Sequence, residues 1–384
     1  MKIGLYNECF PPIMDGVSQV VENYAQLLTE RNHNVAVITA KVPFYRYNYN
    51  YTILNVPSVP MLLRPPYRIG FPIQILPPFI PAIQFMPDIM HAHSPFTAGN
   101  IALQLAKKHH IPFIITFHSK FRQDFEHSIH YKPLVDWMIK EIMKIYDGAD
   151  EVWIPQLSVL DIMREYGYKG QVEVVPNAID YDVDLHTLPE KKQEARTKLN
   201  LKNELCLLFV GQLIWEKNLK FIIDALAQLH GISYKMFFVG KGYAHDELIQ
   251  LIKNHNLQEN VKVVPQLTNR DELETYYFAS DLFLFPSLYD NAPLVVREAA
   301  AHLTPSILIE GSTSAKEVIT SYENGFLTAN DATQFAAKIA ELYKNQSLIN
   351  DIGMNAYKTL SLQWKDIIPE IEDRYRSLIK RNSV

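Results

Sequence analysis

The chain has very little cysteine. Two residues, Cys9 and Cys206, stand far apart in 384. They make no disulfide framework and have no metal-ligand spacing, and a reducing, cytoplasmic setting is the default expectation. No apolar run is long enough to span a bilayer as a helix. The opening Met-Lys-Ile-Gly-Leu-Tyr is a strand pattern without the long apolar core of a signal peptide, which again points to the cytoplasm. Positive charge is not in excess. The formal net charge is −5, which argues against nucleic acid as the main partner. Repeats and low-complexity stretches are absent. What remains is a soluble globular composition, 48% apolar and 21% charged, in a chain too long for one ordinary core. Two domains are therefore expected.

The first half alternates strand and helix. Lys2 to Leu5 is a short apolar strand, and Phe10-Pro11-Pro12 and Asp15-Gly16 mark an irregular loop. From Val17 a helix presents Val20, Val21, Tyr24, Leu27 and Leu28 on one face. Gly16, at this junction, admits two readings. Lacking a Cβ, it lets a ligand phosphate approach the backbone, or it is a turn glycine needed only for its φ. Asn34 to Thr39 is a second strand, and the alternation implies a parallel, doubly wound sheet with its site at the strand C-termini.

Residues 42 to 87 break the rhythm with prolines, tyrosines, Met61, Leu62, Leu63, Phe71, Ile73 and Phe79, among which lie Arg64, Tyr67 and Arg68. This is either a surface that meets a lipid interface or an extended excursion packed on the domain. Asp88 to Ser94 is a strand running into a polar loop. Its His91 and His93 share a face, but no third ligand lies nearby, so metal is not expected. Pro112 to Thr116 is another strand, with Phe117-His118-Ser119-Lys120 at its end. His118 there either hydrogen-bonds a sugar hydroxyl or is a satisfied structural histidine. Lys120, Arg122 and Lys132 receive a phosphate-bearing or lipid acceptor, or are simply solvated.

After a helix over Tyr131 to Tyr146 and strands at Glu151 to Pro155 and Val172 to Val175 comes Pro176-Asn177-Ala178-Ile179-Asp180. Residues 181 to 203, rich in charge, read as a linker with one solvated helix. In the second half, Cys206 to Val210 is a strand ending at Gly211-Gln212, and Lys217 follows as a candidate phosphate anchor or a surface lysine. Tyr234 to Val239 ends in Gly240-Lys241-Gly242. Leu282 to Phe285 stops at Pro286, a polar turn carries Asp290 and Asn291, and a helix begins near Pro293. Glu298 lies one to two turns into that helix. Asp290 and Glu298 suit a ligand with sugar hydroxyls; the other reading is an N-cap aspartate and a solvated glutamate.

The order and spacing of Thr116–Lys120, Pro176–Asp180, Gly211–Lys217 and Asp290–Glu298 resemble the retaining GT-B glycosyltransferases of the GT4 family. The resemblance covers nearly the whole chain and is closest to bacterial diacylglycerol glucosyltransferases. It implies an α/β GT-B fold of two doubly wound Rossmann-like domains facing a central cleft. Residues 1–185 would bind the acceptor, residues 204–363 would bind the nucleotide sugar, and residues 364–384 would form a terminal helix, anchored by Trp364, crossing back to the first domain.

It also implies hexosyl transfer from a nucleoside diphosphate sugar, UDP-glucose above all, without metal or other cofactor. His118 would orient the sugar. Asp290 and the backbone around Asn291, Ala292 and Leu294 would hold its hydroxyls, and Glu298 would bind the nucleotide ribose. Lys217, Gln212, Gly211, Gly240 and Gly16 would surround the diphosphate and base, while Lys120 and Arg122 would meet the acceptor. Four positions depart from the family pattern: Asp290 and Gln212 replace Glu and Arg, and Ala178 and Pro293 replace Gly. The implied acceptor is a membrane lipid, on an enzyme peripheral to the inner face of the cell membrane. A soluble or cell-wall glycan acceptor, and a non-catalytic sugar-nucleotide binder, are the alternatives.

Overall fold

Strands buried on both faces carry unbroken apolar runs, and here those runs build two parallel sheets. The structure is a computed structural model describing residues 1–13, 15–61, 67–71, 85–267 and 269–382. It divides into two units, Met1–Asp180 with the segment from Trp364 onward, and Tyr181–Gln363.

In the first unit the strands are β1 (Lys2–Tyr6), β2 (Asn34–Ala40), β3 (Thr52–Val56), β4 (Ser58–Pro60), β5 (Arg68–Gly70), β6 (Ile89–Ala92), β7 (Phe113–Thr116), β8 (Glu151–Ile154) and β9 (Glu173–Val174). Seven form one parallel sheet in the order β3-β2-β1-β6-β7-β8-β9, and β4 and β5 make a separate antiparallel pair. The order reverses direction at β1, so the loops after β1 and β6 flank the crevice where such sheets bind ligands.

Helix Gly16–Glu30 follows the first loop. Its start is set by a capping box in which the Asp15 carboxylate accepts from the Ser18 N–H and the Ser18 hydroxyl accepts from the Asp15 N–H. The C-terminal helix Trp364–Asn382 packs against it. Trp364 is buried, its N–H donates to the Ile179 carbonyl at 2.9 Å, and its ring meets Tyr24 edge-on at 5.4 Å.

In the first part of the tyrosine-rich stretch the structure favours the packed excursion. Thr52–Val56 joins the main sheet as the strand beside β2. Tyr49 and Tyr51 stack at 4.8 Å and Tyr49 meets Phe10 at 5.7 Å, so this part of the excursion packs on the unit. Leu62, Leu63, Arg64, Ile73 and Phe79 lie outside the described residues.

The second unit holds β10 (Leu205–Val210), β11 (Tyr234–Val239), β12 (Val261–Val264), β13 (Leu282–Phe285), β14 (Ser306–Ile309) and β15 (Phe326–Thr328), all parallel, in the order β12-β11-β10-β13-β14-β15. Its direction reverses at β10, between the loops after β10 and β13. The segment read as a linker is part of this unit. Its helix Leu188–Lys198 packs against helix Arg270–Ala279, and Lys192 and Arg196 each reach the buried Asp281 carboxylate at 3.0 Å. Only Ala195 of that helix is fully buried, so no apolar stripe announced the packing. Val183 and Leu201, towards the two ends of residues 181–203, are buried in the apolar core of the unit, and ionic contacts hold the helix between them, so the segment is not a spacer.

Candidate functional site

In the second unit the site is assembled from the ends of β10 and β13. After β10 the chain turns at Gly211 and Gln212 and forms a short 3-10 turn, Trp215–Lys217. Asn218 then takes a left-handed φ of 62° before helix Leu219–Leu226. This turns Lys217 inward until it is 9% exposed. Its ammonium forms an ion pair with Asp290 Oδ1 and lies over the rings of Phe285 and Tyr289, at 5.7 and 5.5 Å from their centroids. The other Asp290 oxygen accepts from the Ser287 hydroxyl at 2.5 Å. Ser287 is buried, and its carbonyl accepts from the Ser314 hydroxyl at 3.2 Å. The Asn218 amide donates to the Pro286 carbonyl at 3.2 Å, tying the two loops together.

Helix Leu294–Ala301 starts just beyond. Pro293 takes an extended ψ of 123° as the N-cap, so the helix begins one position later than expected, and Pro293 has no side-chain acceptor to cap it. Asp290 is thus not an N-cap; its carboxylate serves Lys217. Asn291 and Leu294 are both buried, and the positive end of the helix dipole lies at Ala292 to Leu294. Glu298 is not solvated. It is buried, accepts from the Tyr277 hydroxyl at 2.6 Å, and burial pushes its carboxyl above the usual range.

Gly240 sits beside this region for a packing reason. A Cβ there would lie 1.9 Å from the Gly211 carbonyl oxygen, and one on Gly242 would lie 2.2 Å from that of Leu213. Both glycines let the turn after β11 lie directly on the turn after β10.

In the first unit Gly16 is the first residue of its helix, at the reversal between β1 and β6. Its φ is not left-handed, and a Cβ would meet nothing within 4 Å. Neither strain nor packing therefore demands glycine, and the turn reading falls. Ala178 likewise adopts no left-handed φ, so alanine brings no strain to the Pro-Asn-Ala-Ile-Asp turn.

His118, after β7, lies with its Nε2 3.1 Å from Nδ1 of the buried His93, and the two rings stack at 5.4 Å. His93 lies in turn against His91, with ring centroids 4.1 Å apart and the planes tilted by 31°. His91 uses both ring nitrogens, one 2.6 Å from the Tyr375 hydroxyl and one 2.7 Å from that of Thr116. Burial lowers all three pKa values, His118 to about 4, so all are neutral at pH 7. Lys120 is buried at the start of helix Phe121–Ser128. Arg122 is committed elsewhere, ion-paired with Asp136 at 2.7 Å and Glu126 at 3.5 Å. Among the described residues no cluster of three His, Cys, Asp or Glu could hold a metal.

Two contacts were not legible in advance, Lys217–Asp290 and His93–His118. Each joins residues that sequence had singled out separately. The available signal was that both members of each pair end neighbouring strands.

Two parallel sheets, each reversing direction once, with the last helix packed into the first unit, are the architecture of the GT-B class of glycosyltransferases. The chain belongs to that class: Glycosyltransferase Family 4 matches residues 14–183 and Glycosyl transferases group 1 matches residues 191–359. It is 27% identical over 322 residues to the alpha-monoglucosyldiacylglycerol synthase of Streptococcus pneumoniae, covering 80% of this chain and 70% of that one. The synthase of the same name from Acholeplasma laidlawii is 22% identical over 100% of this chain and 98% of its own. In fold, the chain is similar to sucrose-phosphate synthase from Thermosynechococcus elongatus, with a TM-score of 0.80 at 20% identity and 99% coverage of both. It is also similar to Anabaena HepE in complex with UDP-glucose, with a TM-score of 0.79 at 18% identity and 98% and 100% coverage.

Proposed function

We propose that the chain is a retaining hexosyltransferase that moves glucose from UDP-glucose to diacylglycerol or a closely similar membrane lipid. The observation that carries this reading is Lys217, a lysine sunk into the second unit at the reversal of its sheet, beside the N-terminus of helix Leu294–Ala301. That combination suits a diphosphate. Lys217, Gln212 and the first backbone N–H groups of helix Leu294–Ala301 would stabilise the departing diphosphate. Glu298 would take the ribose hydroxyls. His118, neutral at pH 7 and held by His93 at its Nε2, would orient the sugar. As the C1–O bond to the diphosphate breaks, the acceptor oxygen bonds to C1 on the same face, and its proton passes to the departing phosphate oxygen. Lys217 supplies the positive charge, so the reading needs no metal and no other cofactor.

Support for the donor and product comes from the names of the relatives: two are alpha-monoglucosyldiacylglycerol synthases, and HepE was seen with UDP-glucose. An α-glucosyl product from an α-linked donor is retention. The lipid acceptor draws on the chain's charge distribution as well. No Asp or Glu occurs between Glu30 and Asp88, where the charged residues are Arg31, Lys41, Arg46, Arg64 and Arg68. Within that stretch Phe44, Tyr45, Val59, Ile69 and Phe71 are exposed. Arg31 is paired with Glu372; exposed apolar groups beside the remaining cations of the stretch suit the anionic inner face of a membrane. No helix among the described residues is long and apolar enough to cross one.

The test is a screen of UDP-glucose, UDP-galactose, GDP-mannose and ADP-glucose with diacylglycerol vesicles, with and without EDTA, reading the anomer by NMR. The expected product is an α-glucosyl lipid from UDP-glucose, insensitive to EDTA. Lys217→Ala should lower turnover about a hundredfold or more. Cosedimentation with anionic vesicles should weaken at high salt. Turnover of no nucleotide sugar overturns the enzyme; transfer to soluble glycans alone overturns the lipid acceptor.

A further inference from the structure

The Lys217–Asp290 pair bears on how a donor would enter. The family resemblance gives the Asp290 position to the sugar hydroxyls, yet here both carboxylate oxygens are engaged within the protein, Oδ1 by Lys217 and Oδ2 by Ser287. The Ser287 hydroxyl also lies 3.2 Å from the Tyr289 N–H and 3.4 Å from that of Asp290, so the turn closes around it. Lys217 is buried between two ring faces, a setting in which an ammonium requires a partner anion.

We propose that Asp290 is the resident counter-ion of Lys217: it holds the buried ammonium in position before a donor arrives and yields it, in whole or in part, to the donor's diphosphate. This rests on the donor-binding reading above and specifies how that site is kept ready. Aspartate is one methylene shorter than the glutamate of the family pattern, and Ser287 holds its carboxylate back in the turn. Binding a nucleoside diphosphate is then the exchange of one anion for another on the same cation. The carboxylate opposes that exchange by like-charge repulsion. Asp290 thus acts on the nucleotide through Lys217, as a positioning residue, and not on the sugar.

The two roles separate when UDP and UDP-glucose are compared by calorimetry on the full chain. Asp290→Asn keeps the shape and an oxygen for the Lys217 ammonium but removes the negative charge. It should bind UDP about tenfold more tightly than the parent, and UDP-glucose more tightly by the same factor. Inhibition by UDP in the transfer assay should strengthen in parallel. Ser287→Ala, which frees one carboxylate oxygen without changing charge, should shift both affinities together and by less. If Asp290 instead serves the sugar, Asp290→Asn leaves UDP affinity unchanged and weakens UDP-glucose alone, and the inference is wrong. Weaker UDP binding by Asp290→Asn also overturns it. Should the parent chain bind none of UDP, ADP or GDP, the donor reading itself fails and this inference falls with it.

Discussion

Gly16 and Gly240 read alike in the sequence, each a glycine in a turn leading out of a strand. Their surroundings are opposite. A methyl on Gly16 meets nothing within 4 Å, while one on Gly240 lies 1.9 Å from the Gly211 backbone oxygen, which has no flexible end to move. Gly16→Ala should therefore leave unfolding free energy within about 0.5 kcal/mol of the parent. If the donor phosphate approaches there, transfer should still fall about tenfold. Gly240→Ala should cost roughly 2–4 kcal/mol by denaturant titration. Equal stability losses in the two variants would remove the distinction. Residue type alone could not supply it, because the deciding distance is to a carbonyl on the neighbouring strand's turn. The same limit applies to Arg122: its basic character was plain, its capture by Asp136 and Glu126 was not.

At the scale of elements, β6 and β7 bring His91, His93 and His118 into one cluster at their C-terminal ends. Alternation along one strand was enough to put His91 and His93 on one face. Joining His118 required the neighbouring strand. Burial lowers the pKa values of all three in the folded chain, whereas in the unfolded chain each titrates near the ordinary histidine value of about 6.5. The unfolded state therefore binds more protons below that pH. Their contribution to stability is full above about pH 6.5 and declines as pH falls towards the folded values, about 4 for His118. Thermal unfolding midpoints should fall between pH 6.5 and 5, and His93→Gln should flatten that slope whatever it does to the midpoint at pH 7. An unchanged slope would show that the cluster does not titrate on unfolding. The helix Leu188–Lys198 teaches the complementary lesson. Its polar sequence predicts a solvated helix, yet Ala195 is buried in the core and Lys192 and Arg196 hold one buried carboxylate.

For the whole chain, the decisive long-range feature is the return of the last helix to the first unit. Trp364 is buried against Tyr24, and Tyr375 stacks on Trp153 at 5.8 Å while touching His91. Trp364→Ala should destabilise the first unit by about 3–5 kcal/mol, seen as earlier unfolding of that unit by hydrogen exchange while the amides of Tyr181–Gln363 keep their protection. Simultaneous loss of protection in both units would mean that they unfold as one. The return also ties the C-terminus to the histidine cluster, so part of the support for His118 comes from residues more than 250 positions away in the chain.

Local pattern determined the alternation of strand and helix, the two-sheet organisation and the strand ends where glycine, histidine and lysine gather. Apolar periodicity and turn chemistry act over a few residues and are written in the chain directly. The strand order decided the rest: that Lys217 meets Asp290, that His118 leans on His93, and that Gly240 is a packing glycine while Gly16 is not. Those relations depend on which strands become neighbours in space, and 73 residues of separation between Lys217 and Asp290 say nothing about that until the sheet is assembled.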